Sequence, residues 1–156
     1  MNNFFLPFVT FFFFSLTAIG IDFDFKDPKG VNNIIFQMDA PLESINGSGD
    51  GISGKVSFDP AKPENTKGTI FLDAKSLHVG NPVLKEHMHG EDWLNVEKFK
   101  LIKFKLSKLD NLRKVKNDFL ADAKGKMSIR NVTIEMNIPI KITYLKDLLI
   151  KRNRSE

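Results

Sequence analysis

Apolar and polar residues alternate with a period of two along most of this chain. "VTIEMNIPIKITY" is the longest run: Val132, Ile134, Met136, Ile138, Ile140, Ile142 and Tyr144 take every second position, with Thr133, Glu135, Asn137, Pro139, Lys141 and Thr143 between them. Successive side chains of a β-strand point to opposite faces, so one set is sent inward and the other to solvent. At ~3.4 Å per residue the run would reach about 44 Å, longer than most strands. The alternation recurs in "NIIFQM" (Ile34, Phe36, Met38), "GISGKVSF" (Ile52, Gly54, Val56, Phe58) and "GTIFLD" (Ile70, Leu72). It returns in "KLIKFKLSKL" (Ile102, Phe104, Leu106) and in "DFLADAKGKMSI", where Phe119, Ala121, Ala123, Gly125, Met127 and Ile129 share a face. Half of that last set is small, which lets a facing side chain or a ligand come close.

Turn chemistry separates the runs. "DPKG" at residues 27–30 is a turn with Pro second. "NGSGDG" at residues 46–51 reads as a flexible loop and "DPAKPENTKG" at residues 59–68 as a longer connection. Arg130-Asn131 joins two alternating runs, which predicts a tight hairpin with Asn131 at positive φ. Repeated strands, short turns and one-sided patterning predict an all-β antiparallel sheet, closed into a barrel or folded into a sandwich. Residues 81–99 break the pattern. Pro82 suits a first helical turn, Val83, Leu84, His87 and Met88 recur at helical spacing, and Gly90 would end the helix. A second short turn of helix is expected over residues 91–96. One or two short helices would then cover an opening of the barrel.

The first twenty residues stand apart. Phe4 to Leu16 is nearly all apolar and Ala18-Ile19-Gly20 offers a small-residue cleavage site, the layout of a secretory signal peptide. The alternative, a membrane anchor, needs roughly 20 apolar residues, more than this run has. Residues 1–20 are therefore read as a cleaved leader and residues 21–156 as one domain, periplasmic or secreted. There is no Cys, which excludes disulfides and a lipid-modified cysteine.

Charge adds little to this picture. With 23 Lys+Arg against 19 Asp+Glu the net charge is +4. The densest basic run, from Lys98 to Lys116, places Lys103 and Lys105 between Ile102, Phe104 and Leu106, the pattern of a strand's solvent face. Nucleic-acid binding would want aromatics interleaved on that face, and none is expected. Transient contact with an anionic membrane surface stays open, as does dimerisation. His87-x-His89 with His78 upstream invites a metal reading. Two residues apart on a helix point about 200° from each other, so the two side chains are assigned to local hydrogen bonding and capping, with no metal and no cofactor. No G-x-S-x-G, cysteine nucleophile or phosphate loop is present, so no catalytic residues are assigned and the chain is read as a non-enzyme.

The order of "FKDPKGVNNIIFQMDAPLE", "GISGKVSFDPAKPENTKGTIFLDAKSL", "NPVLKEHMHGEDWLNVEKFKLIKFKL" and "GKMSIRNVTIEMNIPIKITYLKD" resembles the YceI-like family of lipocalin-like, polyisoprenoid-binding envelope proteins. The Phe-Asp-Pro after a strand, the His-Met-His-Gly-x-Asp-Trp-Leu segment and "SIRNVTIEMNIPI" are its recognisable parts. Asn131 stands where the family usually has Gly, and the chain ends at "LLIKRNRSE", one or two strands shorter than the family pattern. The resemblance implies an extended antiparallel barrel of lipocalin type holding an isoprenoid or other long-chain apolar lipid in its lumen. The lumen lining expected on that basis is Phe36, Phe58, Phe104, Met127, Met136, Ile138, Ile140 and Ile142, with a headgroup near the mouth beside His87 and Trp93. The competing expectation is a barrel filled by its own side chains, acting as a stress-related interaction module.

Overall fold

The runs that alternate in sequence are strands in a computed structural model of the chain, which describes residues 20–39, 44–143 and 145. In chain order the elements are β1 (Ile21–Asp24), β2 (Ile34–Asp39), β3 (Ser44–Gly49), β4 (Ile52–Phe58), β5 (Lys67–Asp73), β6 (His78–Val79), α1 (Pro82–His89), β7 (Leu101–Val115), β8 (Asp118–Ile129) and β9 (Val132–Thr143). Single 3-10 turns lie at Pro63–Asn65 and Ala74–Ser76. The expected leader lies outside the described residues except for Gly20, and so does Tyr144.

All pairings are antiparallel. Six strands form one sheet in the order β1-β4-β5-β7-β8-β9, and β2-β3-β6 form a second, smaller sheet. Among the described residues the outer edges of β1 and β9 have no strand partner, so the sheets are not joined into a closed barrel. The large sheet is nevertheless strongly curled. Phe58 on β4 meets Phe119 on β8 edge to face, with ring centroids 5.5 Å apart, although β5 and β7 lie between those strands. A flat sheet would hold the two side chains some 14 Å apart, at ~4.8 Å per strand.

Side-chain size explains one end of the interior. Ala123 pairs with Ile138 and Ala121 with Ile140, so each small residue of β8 makes room for a branched one of β9. Leu109, Ala121 and Ala123 form a buried cluster packed by Phe104, Leu106, Leu112, Ile138, Ile140 and Ile142. Leu109 faces inward because β7 is bulged. Leu106 pairs with Gly125 but Lys108 with Lys124, so one extra residue of β7 swaps its inward parity. A second irregularity lies between Asp110 and Arg113, where Asn111 has φ 52° and bonds Asp122 through its side chain at 2.6 Å.

Of four local expectations, one holds and three are corrected. The 27–30 turn forms as read, with Gly30 at φ 63° and the Asp27 carboxylate accepting from the amides of Lys29, Val31 and Asn32 at 2.7–3.0 Å. These bonds stabilise the anion and lower its pKa, the Lys29 amide contributing most. The 46–51 segment is not a loop: most of it is β3, paired with β2. In the 130–131 hairpin the positive φ belongs to Arg130 (54°), not Asn131. Positive φ at the first of two turn residues is the type II′ arrangement, whose twist suits the strands. Residues 91–94 form turns rather than a second helix.

Candidate functional site

Where the small sheet stands over the large one, the interior is open. A cavity of about 470 Å³ lies between them, with Ile34, Phe36 and Met38 of β2 on one side and Ile70, Leu72, Ile102, Phe104, Met127 and Ile129 on the other. Leu77, Met88, Trp93 and Leu94 close one end, and Phe71 completes the lining. No lining side chain is ionisable. That volume falls in the ~300–1,000 Å³ range of small-molecule pockets.

Two glycines help keep it open. The Phe36 ring occupies the place where a Cβ on its cross-strand partner Gly47 would sit. A Cβ on Gly125 would lie 2.6 Å from the Phe104 ring and 2.5 Å from the Lys105 carbonyl oxygen. Each ring therefore leans onto a neighbouring strand instead of reaching across the gap, a use of strand glycine that costs ladder stability and gains space.

The 81–99 segment forms the end wall. Asn81 caps α1, accepting from the amides of Val83 (2.9 Å) and Leu84 (3.2 Å), Pro82 occupies the first turn, and the Gly90 amide bonds back to Glu86 and His87. His89 Nε2 lies 2.8 Å from the Leu77 carbonyl, tying the helix to the chain before β6. Arg130, from the β8–β9 hairpin, donates to the Trp93 carbonyl at 2.5 Å, and its guanidinium sits 5.4 Å from the Phe99 ring centroid. The wall is thus fastened to both sheets. Among the described residues no three His, Cys, Asp or Glu side chains gather into a metal-binding group.

The predicted lumen residues separate into three places. Phe36, Phe104 and Met127 line the main cavity. Ile138 and Ile140 pack instead on the Leu109–Ala121–Ala123 cluster, and Met136 lies opposite Gly125. Phe58, only 2% exposed, and Ile142 border a separate cleft of about 380 Å³ with Phe23, Val56 and Lys141, between the two edge strands β1 and β9. His87 and Trp93 do come together, in a recess of about 90 Å³ that shares Phe36, Met38, Met88 and Trp93 with the main cavity. Alternation alone also sends Ile34, Met38, Ile70, Leu72 and Ile102 to inward faces and assigns them to no site. The position of the small sheet decides which inward residues face space and which face other side chains.

The fold is thus antiparallel β, with an uncharged, ligand-sized cavity between its two sheets. The particular family is shown by sequence: the YceI-like domain profile matches residues 27–153, and the chain belongs to that family. A UPF0312 protein of Pseudomonas savastanoi pv. phaseolicola is 31% identical over 100 residues, 64% of this chain and 49% of that protein. A UPF0312 protein of Pseudomonas fluorescens is 29% identical over 102 residues, 65% and 50% of the two chains. The chain thus spans about half the length of these relatives. Among solved structures, BcnA of Burkholderia cenocepacia superposes with a TM-score of 0.53 at 22% identity, over 69% of this chain and 63% of that one. The YceI protein of Campylobacter jejuni gives 0.53 at 19% identity, over 74% and 66%. These two likenesses are of fold.

Proposed function

We propose that this protein binds a long apolar lipid, of isoprenoid or acyl type, and sequesters or carries it in the bacterial envelope after export. The observation that carries the reading is the cavity of about 470 Å³ with no ionisable side chain in its wall. Such a wall offers an alkyl or prenyl chain dispersion contacts and release from water, and offers a charged metabolite nothing. Phe36, Phe104 and Met127 would contact the tail. Ile138, Ile140 and Ile142 would limit its depth by filling the far end, with Met136 at the boundary. The headgroup would lie by His87 and Trp93, where the cavity reaches the surface. Export rests on the apolar leader and the small residues at 18–20. Closure of the sheets into a full barrel around the lipid is part of the same proposal.

The test is extraction of the protein purified from its native host, followed by mass spectrometry. An isoprenoid or acyl lipid near one equivalent is expected, and an extract free of such lipids would overturn the reading. The packed cluster at Leu109 favours a second reading, an interaction module with a filled interior. An apolar fluorescent dye separates the two, since a filled interior would not take it up.

A further inference from the structure

The cavity does not end in a polar rim. Trp93 and Ile129 line it and are also 55% and 40% exposed. Ile129 pairs with Val132, and the cavity-wall residue Met127 pairs with Ile134. Val132 and Ile134 are 63% and 53% exposed, so the apolar wall runs out of the cavity onto the surface as a continuous apron. Scattered exposed apolar residues need no explanation, but a patch continuous with a ligand-sized cavity does.

Cations border this apron. Arg130 lies between Ile129 and Val132 and bonds the Trp93 carbonyl. Lys98 Nζ and the Arg130 guanidinium are each 5.4 Å from the centroid of the same ring, Phe99. Lys100 follows, exposed, on the approach to β7, while Lys103 points to the other face of the sheet, opposite Ser128. Of the described residues, only Lys75 with Glu97 and Lys108 with Asp110 form ion pairs, so Lys98, Lys100 and Arg130 have none. Glu91 and Asp92 at the Trp93 turn, and Glu97 beside Lys98 and acting on Lys100, offset part of this charge.

We infer that the exposed apolar apron beside the Trp93 wall of the cavity is a docking surface for an anionic lipid bilayer. Trp93, Ile129, Val132 and Ile134 enter the interface, while Lys98, Lys100 and Arg130 sit at the level of the lipid phosphates. An exposed tryptophan beside apolar and basic residues is the composition that favours the headgroup boundary. This rests on the lipid-binding reading, because an occupant of that cavity would be stored in a bilayer and would have to cross this apron to enter. Lys98 and Arg130, which share one ring and form no ion pair, are placed for a shared phosphate, and the absence of further aromatics on the Lys103 face disfavours nucleic acid.

Trp93 is the only tryptophan in the chain, so its emission reports on the apron directly. The test is flotation of the protein purified from its native host with vesicles of phosphatidylcholine alone or with about a third phosphatidylglycerol, alongside Trp93 emission and its quenching by brominated lipid. Flotation with the anionic vesicles, a blue shift and quenching are expected, all weakened in high salt. Each border cation replaced by Gln should lower the partition about fivefold. The double variant Val132→Ser, Ile134→Ser, on an exposed edge, should lower it at least tenfold. Three results would overturn the inference: no flotation with anionic vesicles at low salt, flotation unchanged in the double variant, or a blue shift that tracks protein concentration and dimer formation without lipid. The last would make the apron an interface between copies. Lipid extraction and dye uptake are measured on the same sample, so a protein that holds lipid yet ignores vesicles refutes docking alone.

Discussion

Gly125 marks the border between the packed and open halves of the interior, so Gly125→Ala probes both at once. Adding a methyl group there places it 2.5 Å from the Lys105 carbonyl oxygen and 2.6 Å from the Phe104 ring. Real Cβ atoms do not approach so closely, so the strand must shift and the ring must swing away. Overpacking of this kind costs about 1–3 kcal/mol. Replacing glycine in a strand by alanine recovers about 0.5–1 kcal/mol of unfolded-state entropy. The net expectation is a loss of about 1–2 kcal/mol. With a urea slope of ~1–3 kcal/mol per M, the unfolding midpoint should fall by about 1 M. The displaced Phe104 ring has only the cavity to enter, so apolar dye should bind more weakly as well. Phe104→Leu in the same chain should restore only part of the stability, since the backbone oxygen remains. A midpoint within about 0.2 M of the unsubstituted protein, with unchanged dye affinity, would refute the close packing of Phe104 on Gly125.

Other consequences follow from particular contacts. Leu109→Ala, at the centre of the packed end, should cost about 2–5 kcal/mol in urea unfolding while leaving dye affinity within about twofold, because Leu109 does not line the main cavity. His89→Ala should remove about 0.5–1.5 kcal/mol by releasing the Leu77 carbonyl, and stopped-flow mixing should show faster dye exchange as α1 loosens. Asp27 has a lowered pKa in the folded chain, so its carboxylate stabilises the fold above its ordinary titration range, and that contribution disappears as pH falls through the folded value. The stability difference between the unsubstituted protein and Asp27→Asn should therefore shrink on going from pH 7 to pH 3. Glu97→Gln should leave the urea midpoint unchanged within error, because both partners of the Lys75 pair are largely solvated.

Much of the large sheet was legible because its strands keep strict alternation. The inward set of β8 is the one read from "DFLADAKGKMSI", and its bounds match the run. β3 was not legible, since Gly, Ser and Asn have no strand preference of their own. Its place is set by its partner, with Phe36 lying across Gly47. The bulge at Ser107 was half legible. Apolar residues go from a spacing of two at Ile102, Phe104 and Leu106 to a spacing of three at Leu109 and Leu112, which is what an inserted residue does to inward parity. Arg130 at positive φ was hidden, because Asn131 is the residue with the intrinsic tolerance. The hairpin's hand and the Arg130 contacts with Trp93 and Phe99 outweigh that preference.

The candidate site was less legible than the fold for a reason that lies in β9. Its inward residues read as one uniform apolar stripe, yet they meet three environments. Ile134 reaches solvent, Met136 meets a glycine, and Ile138 and Ile140 meet the alanines of β8. Periodicity along a strand tells which face is inward and is blind to what stands opposite. Opposite Ile138 and Ile140 the β7 bulge delivers Leu109 and Leu112, and the interior fills. Nearer the β8–β9 hairpin the facing layer is β2, whose Phe36 leans onto Gly47, and the interior stays open. One end of the sheet thereby anchors the fold, and under the proposed function the other would exchange an apolar occupant without unpacking that anchor. Leu109→Ala should accordingly lower stability and spare dye binding, whereas Gly125→Ala should lower both.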